Sequence, residues 1–502
     1  MKILFVDPSG LQNPLPGKPG MGLNLAIATL TSILVKNGHT VSLFDMENIF
    51  ENRLVNAIEK VVKTSNPDII CFSILNAQYL NAIDAIKKFR KLTSVPIIVG
   101  GAEVTAIKEM IFQDSNFAIN ISVLGEGEET IVKVLKCFEN KEFDIKSFEN
   151  IEGIIINNNR NLIITGPTQL VKDIDKYPSP DLDIFGIRYI GTYKIMGSRG
   201  CPFNWSFCFS YLGKTWRGRN PQAILKELCE AKEKFNFKQF RFLDSLFNHD
   251  HEWVHEICDL IIHSGLKGIP WDAAAMRADK VDQALSKHMV EAGCKKVGFG
   301  IETFHPDVFK SIGKGGKVGN MKRGVEIAVE YFDKVSISMI IGLPGDTMEN
   351  CLFSYKEAEK LNPSYMAYAL AVPYSNTRLE EWVKQNARVY GNSYDSFTRA
   401  SSAYYSGVAY DTVDFTREQR LKAFRIVNTK EFRYVSRSKV HRYLDPASWL
   451  LDALCIDIFK FHKHVFYVCS NILLRIKRKL CVSRENVEIG YNRIPDGSWW
   501  IG

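Results

Sequence analysis

Gly197–Ser210 reads GSRGCPFNWSFCFS. It follows a short apolar strand pattern, Lys194–Met196, and opens a run in which strand and helix patterns alternate. Further strand patterns lie at Gln239–Leu243, Trp271–Ala275, Lys296–Phe299, Ser336–Ile341 and Tyr365–Ala371. Helical spacing separates them. Six such units predict an open or partial (β/α) barrel over 191–400, in which chemistry gathers at the carboxyl ends of the strands. The quoted loop leaves the first strand at such an end.

Upstream, a second alternation covers the first 140 residues. Lys2–Asp7, Thr40–Asp45, Asp68–Ser73 and Pro96–Val99 are apolar strand patterns, and Asn24–Lys36, Leu54–Thr64 and Leu80–Leu92 are helical. Near-continuous apolar strands joined by helices predict a doubly wound parallel sheet, whose ligands sit beyond the strands' carboxyl ends. Between the two alternations, Ile151–Ile156 and Asn161–Ile164 flank a hairpin signal, followed by a Pro-rich stretch. Downstream of 400 the alternation stops. An aromatic, Ser-rich loop (Ser401–Tyr410) gives way to long helical patterns from Thr416.

The chain has 502 residues, 46% hydrophobic and 24% charged, which excludes disordered and collagen-like classes and suggests two or three domains. Its 11 cysteines are odd in number and scattered, which argues against a disulfide scaffold and for a reducing cytoplasm. Neither a signal peptide nor a spanning helix is expected. Net charge is +8, of which seven come from Ile458–Arg484 alone. There Val465, Cys469, Ile472, Leu473, Ile476 and Leu480 follow helical spacing, and no acid occurs. Such a helix can lie on an anionic membrane; a helix packed on the barrel with a solvated basic face is the other reading, and both stay open.

The Gly197–Ser210 loop resembles the signature of the radical S-adenosylmethionine superfamily. That signature is C-x3-C-x2-C, three thiolates holding three irons of a [4Fe–4S] cluster, with the fourth iron open to S-adenosylmethionine. Thiolates suit the task as soft, anionic donors. Cys201 and Cys208 match the outer two, and Phe207 matches the family aromatic near the adenine. The middle position is Trp205. An indole N–H is a donor with no lone pair for iron. Three explanations stay open: a degenerate enzyme, another group completing the site, or a translation artefact, since UGU and UGC lie one base from UGG.

Downstream segments extend the resemblance in family order. Phe242–Phe247 (FLDSLF) resembles the D-D-x-F element near the methionyl amino group, with Asp244 as the matching carboxylate and Ser245 in place of the second. AMRAD (275–279) and EAGCKKVGFGIET (291–303) match the next two segments, which implies that Glu302 bonds a ribose hydroxyl. MIIGLPGDTME (339–349) matches the fifth, with Gly342 and Gly345 giving backbone approach to adenine or ribose. YALAVPYSNT (368–377) matches the sixth.

The first domain resembles the cobalamin-binding domain fused to one class of this superfamily, through GMGLNL (20–25), SILNAQY (73–79), VGGAEV (99–104) and VLGEGEET (123–130). The resemblance implies that Ser73 bonds the nucleotide tail base and that Gly100 and Gly101 let the tail pass. Gly125, Glu126 and Gly127 would close the pocket, and Leu75–Asn76 would face the cobalt's lower side. It implies an α/β chain with a Rossmann-like cobalamin-binding domain (1–145), a linker with hairpin (146–190), a partial (β/α)6 TIM-type barrel (191–400) and a helical C-terminal region (401–502).

The function implied is a cobalamin-dependent radical S-adenosylmethionine enzyme. It would transfer a methyl group to, or rearrange, an unactivated carbon of a small-molecule or lipid substrate, with flavodoxin or ferredoxin as electron donor. The alternative is a cluster-deficient descendant, serving as a sensor, a partner subunit or a non-radical methyltransferase. No nucleic acid partner is expected; peripheral membrane contact would run through 458–484. Two further patterns are discounted. HEWVH (251–255) has zinc-motif spacing but no third ligand, and GKGGK (313–317) is not a phosphate loop, because no strand leads into it.

Overall fold

The computed structural model describes residues 1–8, 24–46, 49, 51–139, 145–186, 190–390 and 407–435. Most of these form one compact unit, Met1–Leu11 with Leu23–Asn428. Residues 20–23 of GMGLNL, most of the Ser401–Tyr410 loop and the basic segment 458–484 lie outside the described residues.

The first sheet is built from β1 (Lys2–Asp7), β2 (Thr40–Asp45), β3 (Ile69–Ser73), β4 (Ile97–Gly100) and β5 (Ile121–Val123). The helices among and after them are α1 (Leu25–Lys36), α2 (Leu54–Ser65), α3 (Tyr79–Leu92), α4 (Ala102–Ile107), α5 (Met110–Asp114), α6 (Glu128–Glu139) and α7 (Ile145–Glu149). Strand β3, IICFS, is buried at every position, because helices cover both faces of the sheet. The hairpin expected between the domains is the sheet's edge: β6 (Ile154–Asn158) pairs antiparallel with β5, and β7 (Asn161–Ile164) with β6, giving the order β2-β1-β3-β4-β5-β6-β7. Asn159 (φ 49) and Arg160 (φ 71) make the tight left-handed turn between them.

The second sheet begins at β8 (Thr192–Ile195). Next come two short strands, β9 (Ser198–Arg199) and β10 (Arg217–Gly218), then α8 (Pro221–Phe235), β11 (Gln239–Phe242), α9 (His251–Ile262), β12 (Trp271–Met276) and α10 (Gln283–Glu291). It continues with β13 (Cys294–Glu302), α11 (Pro306–Ser311), α12 (Val318–Tyr331), β14 (Lys334–Ile341), α13 (Met348–Lys360), β15 (Tyr365–Leu370) and α14 (Arg378–Asn386). Six strands run parallel in the order β15-β14-β13-β12-β11-β8, the six that the sequence predicts. Burial along β14 and β15 alternates between full and partial. One face is sealed by helices and the other lines an interior left open, as in an unclosed barrel. A further helix, α15 (Arg417–Val435), follows a short pair, β16 (Arg388–Val389) and β17 (Tyr410–Asp411).

Candidate active site

The loop after β8 is tied at its base by its own backbone. β9 pairs antiparallel with β10, Arg199 opposite Arg217 and Ser198 opposite Gly218. Gly200 has φ +80, and a Cβ there would stand 2.2 Å from the Thr215 carbonyl oxygen, so only glycine turns the chain here. Cys201 is buried, and its N–H donates to the Gly213 carbonyl (3.2 Å). Cys208 donates its N–H to the Trp205 carbonyl (3.2 Å). Burial, reinforced by Cys201, pushes the Cys208 thiol up to about 11.

Between the two cysteines an aromatic stack forms. The Trp205 ring lies parallel to Phe203 (5.8 Å, 11°) and nearly so to Phe207 (6.0 Å, 28°). Lys314 Nζ sits 4.1 Å from the Trp205 ring centroid, and Arg277 Cζ sits 4.0 Å from that of Phe203, both cation–π contacts. Trp205 Nε1 is buried, with no hydrogen-bond partner among the described residues. The Lys314 side chain is fully enclosed and pairs with Glu302 Oε1 at 3.2 Å. Burial lowers the Lys314 pKa from the usual lysine value, and Glu302 opposes that shift. Arg277 fixes the turn: it pairs with Asp279 and donates to the Lys314 carbonyl (3.0 Å).

Two thiols and an indole are one donor short of the family's three-thiolate set. Among the described residues no group of three His, Cys, Asp or Glu converges to make up the difference. The chain's residues as they stand do not fit a cluster held by three cysteines.

The residues expected around S-adenosylmethionine occupy distinct settings. Glu302 ends β13 with φ +70, an uncommon conformation for a side-chain-bearing residue, beside a register shift against β14. Asp244 accepts from Gly197 N–H (2.8 Å) and from the Ser198 hydroxyl (2.6 Å), so both its oxygens brace the cysteine loop. Burial pushes its pKa up to about 7, against those bonds. Gly342 (φ +88) is filled by the protein itself. A Cβ there would stand 2.3 Å from Arg420 Nη1, and its carbonyl accepts from Arg420 Nη1 and the Tyr410 hydroxyl. At Gly345 (φ +77) nothing among the described residues lies within 4 Å of a built Cβ, which leaves that backbone open to them.

On the first sheet, Ser73 and Gly100 stand opposite each other at the ends of β3 and β4. The loop after β3 is held by Gln78, which accepts from Leu75 N–H and donates to Asp7 Oδ1. Asn76 Oδ1 is buried there without a partner among the described residues. An orphaned acceptor beside open strand ends fits a ligand such as cobalamin. Three other expected residues are engaged by the protein. Gly101 makes room for the Ile74 backbone (2.5 Å from a Cβ) and Gly125 for the Thr168 side chain (2.4 Å). Glu126 reaches into the second domain. It accepts from Arg199 Nη1 (3.0 Å), Arg217 Nη1 (2.8 Å) and Val171 N–H (2.7 Å), while Arg199 Nη2 pairs with Glu128 (2.6 Å). Burial opposes ionisation of Glu126, yet the guanidiniums hold it below the usual carboxylate range. Among the described residues, Gly127 has only Val123 Cγ1 near, at 3.8 Å from a built Cβ.

Local sequence missed Lys314, Arg199, Arg217 and Arg420 as site-shaping residues. It also missed an open polar cleft of about 570 Å³ lined by His249, Asp250, His251, Glu252, Asp279 and Lys280. The HEWVH histidines part company: His251 Nε2 meets the Lys280 carbonyl, and His255 meets His288.

Residues 19–135 match the B12 binding domain, and residues 195–357 match the radical SAM superfamily. An uncharacterized methyltransferase of Pyrococcus horikoshii is 28% identical over 488 residues, 95% of this chain and 98% of that protein. The hopanoid C-3 methylase of Methylococcus capsulatus is 25% identical over 46% of this chain and 44% of its own. Among solved structures, TsrM from Kitasatospora setae, a radical S-adenosylmethionine methyltransferase with cobalamin and a [4Fe–4S] cluster bound, superposes with a TM-score of 0.67 at 15% identity. The match covers 88% of this chain and 90% of that one. The cobalamin-dependent S-adenosylmethionine radical enzyme OxsB gives 0.66 at 18% identity, over 96% and 75%. With both domain matches in this order and a relative aligned along nearly the whole chain, the protein belongs to the cobalamin-binding radical S-adenosylmethionine enzymes.

Proposed function

We propose that the chain uses S-adenosylmethionine and cobalamin to methylate a carbon of a small-molecule or lipid substrate. One observation carries this reading: the buried junction of Glu126 and Glu128 with Arg199 and Arg217. Arg199 lies two residues before Cys201, and Glu126 follows the carboxyl end of β5. The junction thereby brings the cobalamin-type strand ends up against the cysteine loop, which a methyl relay between two cofactors requires.

Cobalamin, when bound, supplies a carrier for the methyl group. This chain's residues bind and orient. Ser73, Asn76, Gly100 and Gly127 offer the surface for it, and Glu302, Phe207 and the open backbone at Gly345 that for S-adenosylmethionine. Asp244 holds the loop that joins the two. No step here runs through a cluster, because the donor set does not complete one. In the radical reading a flavodoxin- or ferredoxin-like donor would supply the electron.

Trp205 favours a second reading, a descendant that binds the same cofactors and transfers methyl groups without radicals, or serves as a sensor or partner subunit. Anaerobic reconstitution with iron and sulfide separates the two. About four irons per chain in the native protein, with a cluster spectrum, would support the radical reading. No cluster in the native protein, but one in Trp205→Cys, would support the second. Methyl transfer from S-adenosylmethionine to added cobalamin tests the shared core of both, and failure of cobalamin to bind at all would overturn it.

A further inference from the structure

The turn that leaves β15 touches both halves of the protein. Thr377 caps α14, its hydroxyl accepting from Glu380 N–H (3.2 Å), and Glu380 Oε2 accepts from Asn376 N–H (2.9 Å). Side-chain caps of this kind fix the entry to a helix. Asn376 has φ +61, a conformation that asparagine tolerates better than most residues bearing a side chain. Its side-chain amide donates to the Ala106 carbonyl in the last turn of α4. Carbonyls there have no partner within their own helix. Two residues on, Arg378 donates to the Asn204 carbonyl, and Leu379 N–H donates to the Ser206 carbonyl (2.7 Å). The turn thus grips the backbone on both sides of Trp205, between the two cysteines. At its other end, α4 is tied to the strand ends that the first-domain reading gives to cobalamin. The Thr105 hydroxyl donates to the Gly101 carbonyl (2.9 Å) and accepts from Gly125 N–H (2.8 Å), and Glu103 N–H donates to the Ile74 carbonyl (3.2 Å). Phe209, adjacent to Cys208, packs on the first domain's core, to which Val104, Ala106 and Ile107 of α4 belong.

We propose that Asn376 and Arg378 are positioning residues that couple the cobalamin-type site to the cysteine loop. A corrinoid seated at the ends of β3 and β4 steadies α4, and the turn passes that restraint to Asn204–Ser206. The inference rests on the reading of cobalamin as a ligand of the first domain. Coupling of this kind is reciprocal, so a loop held by the turn also favours cobalamin.

Amide hydrogen exchange in the full chain, read by mass spectrometry on peptides covering 203–210, tests this with and without saturating hydroxocobalamin; visible absorbance reports whether the corrinoid is bound. The expected result is exchange slowed by about fivefold or more in that segment, the lower end of typical coupling between sites, with α8 unaffected. Asn376→Gly keeps the positive φ and drops the amide. In it cobalamin still binds and the slowing is lost. Arg378→Met loses most of the slowing; Arg378→Lys, which keeps a donor for the Asn204 carbonyl, retains part. Both residues are exposed, so neither change opens a cavity, and unchanged exchange in α8 reports an intact barrel. A turn with a merely structural role speeds exchange equally with and without cobalamin in the variants, and that outcome overturns the proposal. So does bound cobalamin that slows nothing in the native chain. Slowing that persists in Asn376→Gly also overturns it and assigns the coupling to the Glu126–Arg199 junction. Failure of cobalamin to bind the native chain instead sinks the first-domain reading beneath it.

Discussion

Asp244 is enclosed beneath the cysteine loop, with one oxygen on Gly197 N–H and the other on the Ser198 hydroxyl. Burial raises its pKa from 3.8 to about 7. An acid with a raised folded-state pKa keeps its proton longer when folded than when unfolded. Its contribution is greatest below its unfolded value and declines as pH climbs from 3.8 toward about 7, then levels off. Asp346, also buried and raised to about 7, acts in the same sense. The two aspartates therefore pull the urea midpoint down between about pH 5 and about pH 7, against an opposite pull from His39 and His249, whose pKa values burial lowers. Asn at 244 can still accept from Gly197 and can donate to the Ser198 oxygen. Asp244→Asn should fold and show a shallower decline; an unchanged slope would clear Asp244 of the effect. At this scale the sequence was partly legible. The resemblance to the family singles out Cys201, Cys208 and Phe207, and the fold places all three on the loop after β8. Lys314 does not, because GKGGK looks like surface charge until the chain folds around it. The packing at Gly342 was unreadable because its filler, Arg420, is 78 residues away.

Two glycines decide how elements meet. Gly324 lies inside α12, where helix propensity alone favours alanine by about 1 kcal/mol. A Cβ there would come within 1.7 Å of the Ala278 carbonyl oxygen, in the turn after β12. Steric overlap wins, and Gly324→Ala should lower stability by about 1–3 kcal/mol in denaturant titrations. A gain would mean that α12 stands off the turn. Gly200→Ala should cost about as much, through its positive φ and the Thr215 carbonyl. Element type and order were the most legible part, since β3 and the barrel strands are apolar runs bounded by turns. The hairpin β6–β7 was readable from its turn but not its destination: nothing local says that Ile154–Asn158 pairs with β5 rather than standing between domains.

Across the molecule, the ions at the domain junction matter most. Glu126 is nearly fully buried with two guanidiniums on it. Removing one member of such a group leaves charge buried and unpaired, typically at about 3–5 kcal/mol. Glu126→Ala should sharply increase protease cleavage between 139 and 190 and weaken cobalamin binding; Glu126→Gln should lie between. Cleavage unchanged in both would show that contacts other than those of Glu126, such as the Arg199–Glu128 pair, hold the domains. The charge balance points elsewhere. Seven of the net +8 lie in 458–484, and no helix among the described residues is long and apolar enough to cross a membrane. If that segment binds membranes, the full chain floats with anionic liposomes and a chain ending at 457 does not; flotation that survives the truncation would rule the segment out.

The β9–β10 clasp has one more consequence. Strand pairing, Gly200 and the Asp244 bonds tie the base of the loop through residues other than its cysteines. Shaping the loop and offering thiols to a metal therefore fall to different residues of it. A lineage could exchange the middle cysteine for tryptophan and still inherit a well-formed loop, so that selection judges the change by its chemistry alone.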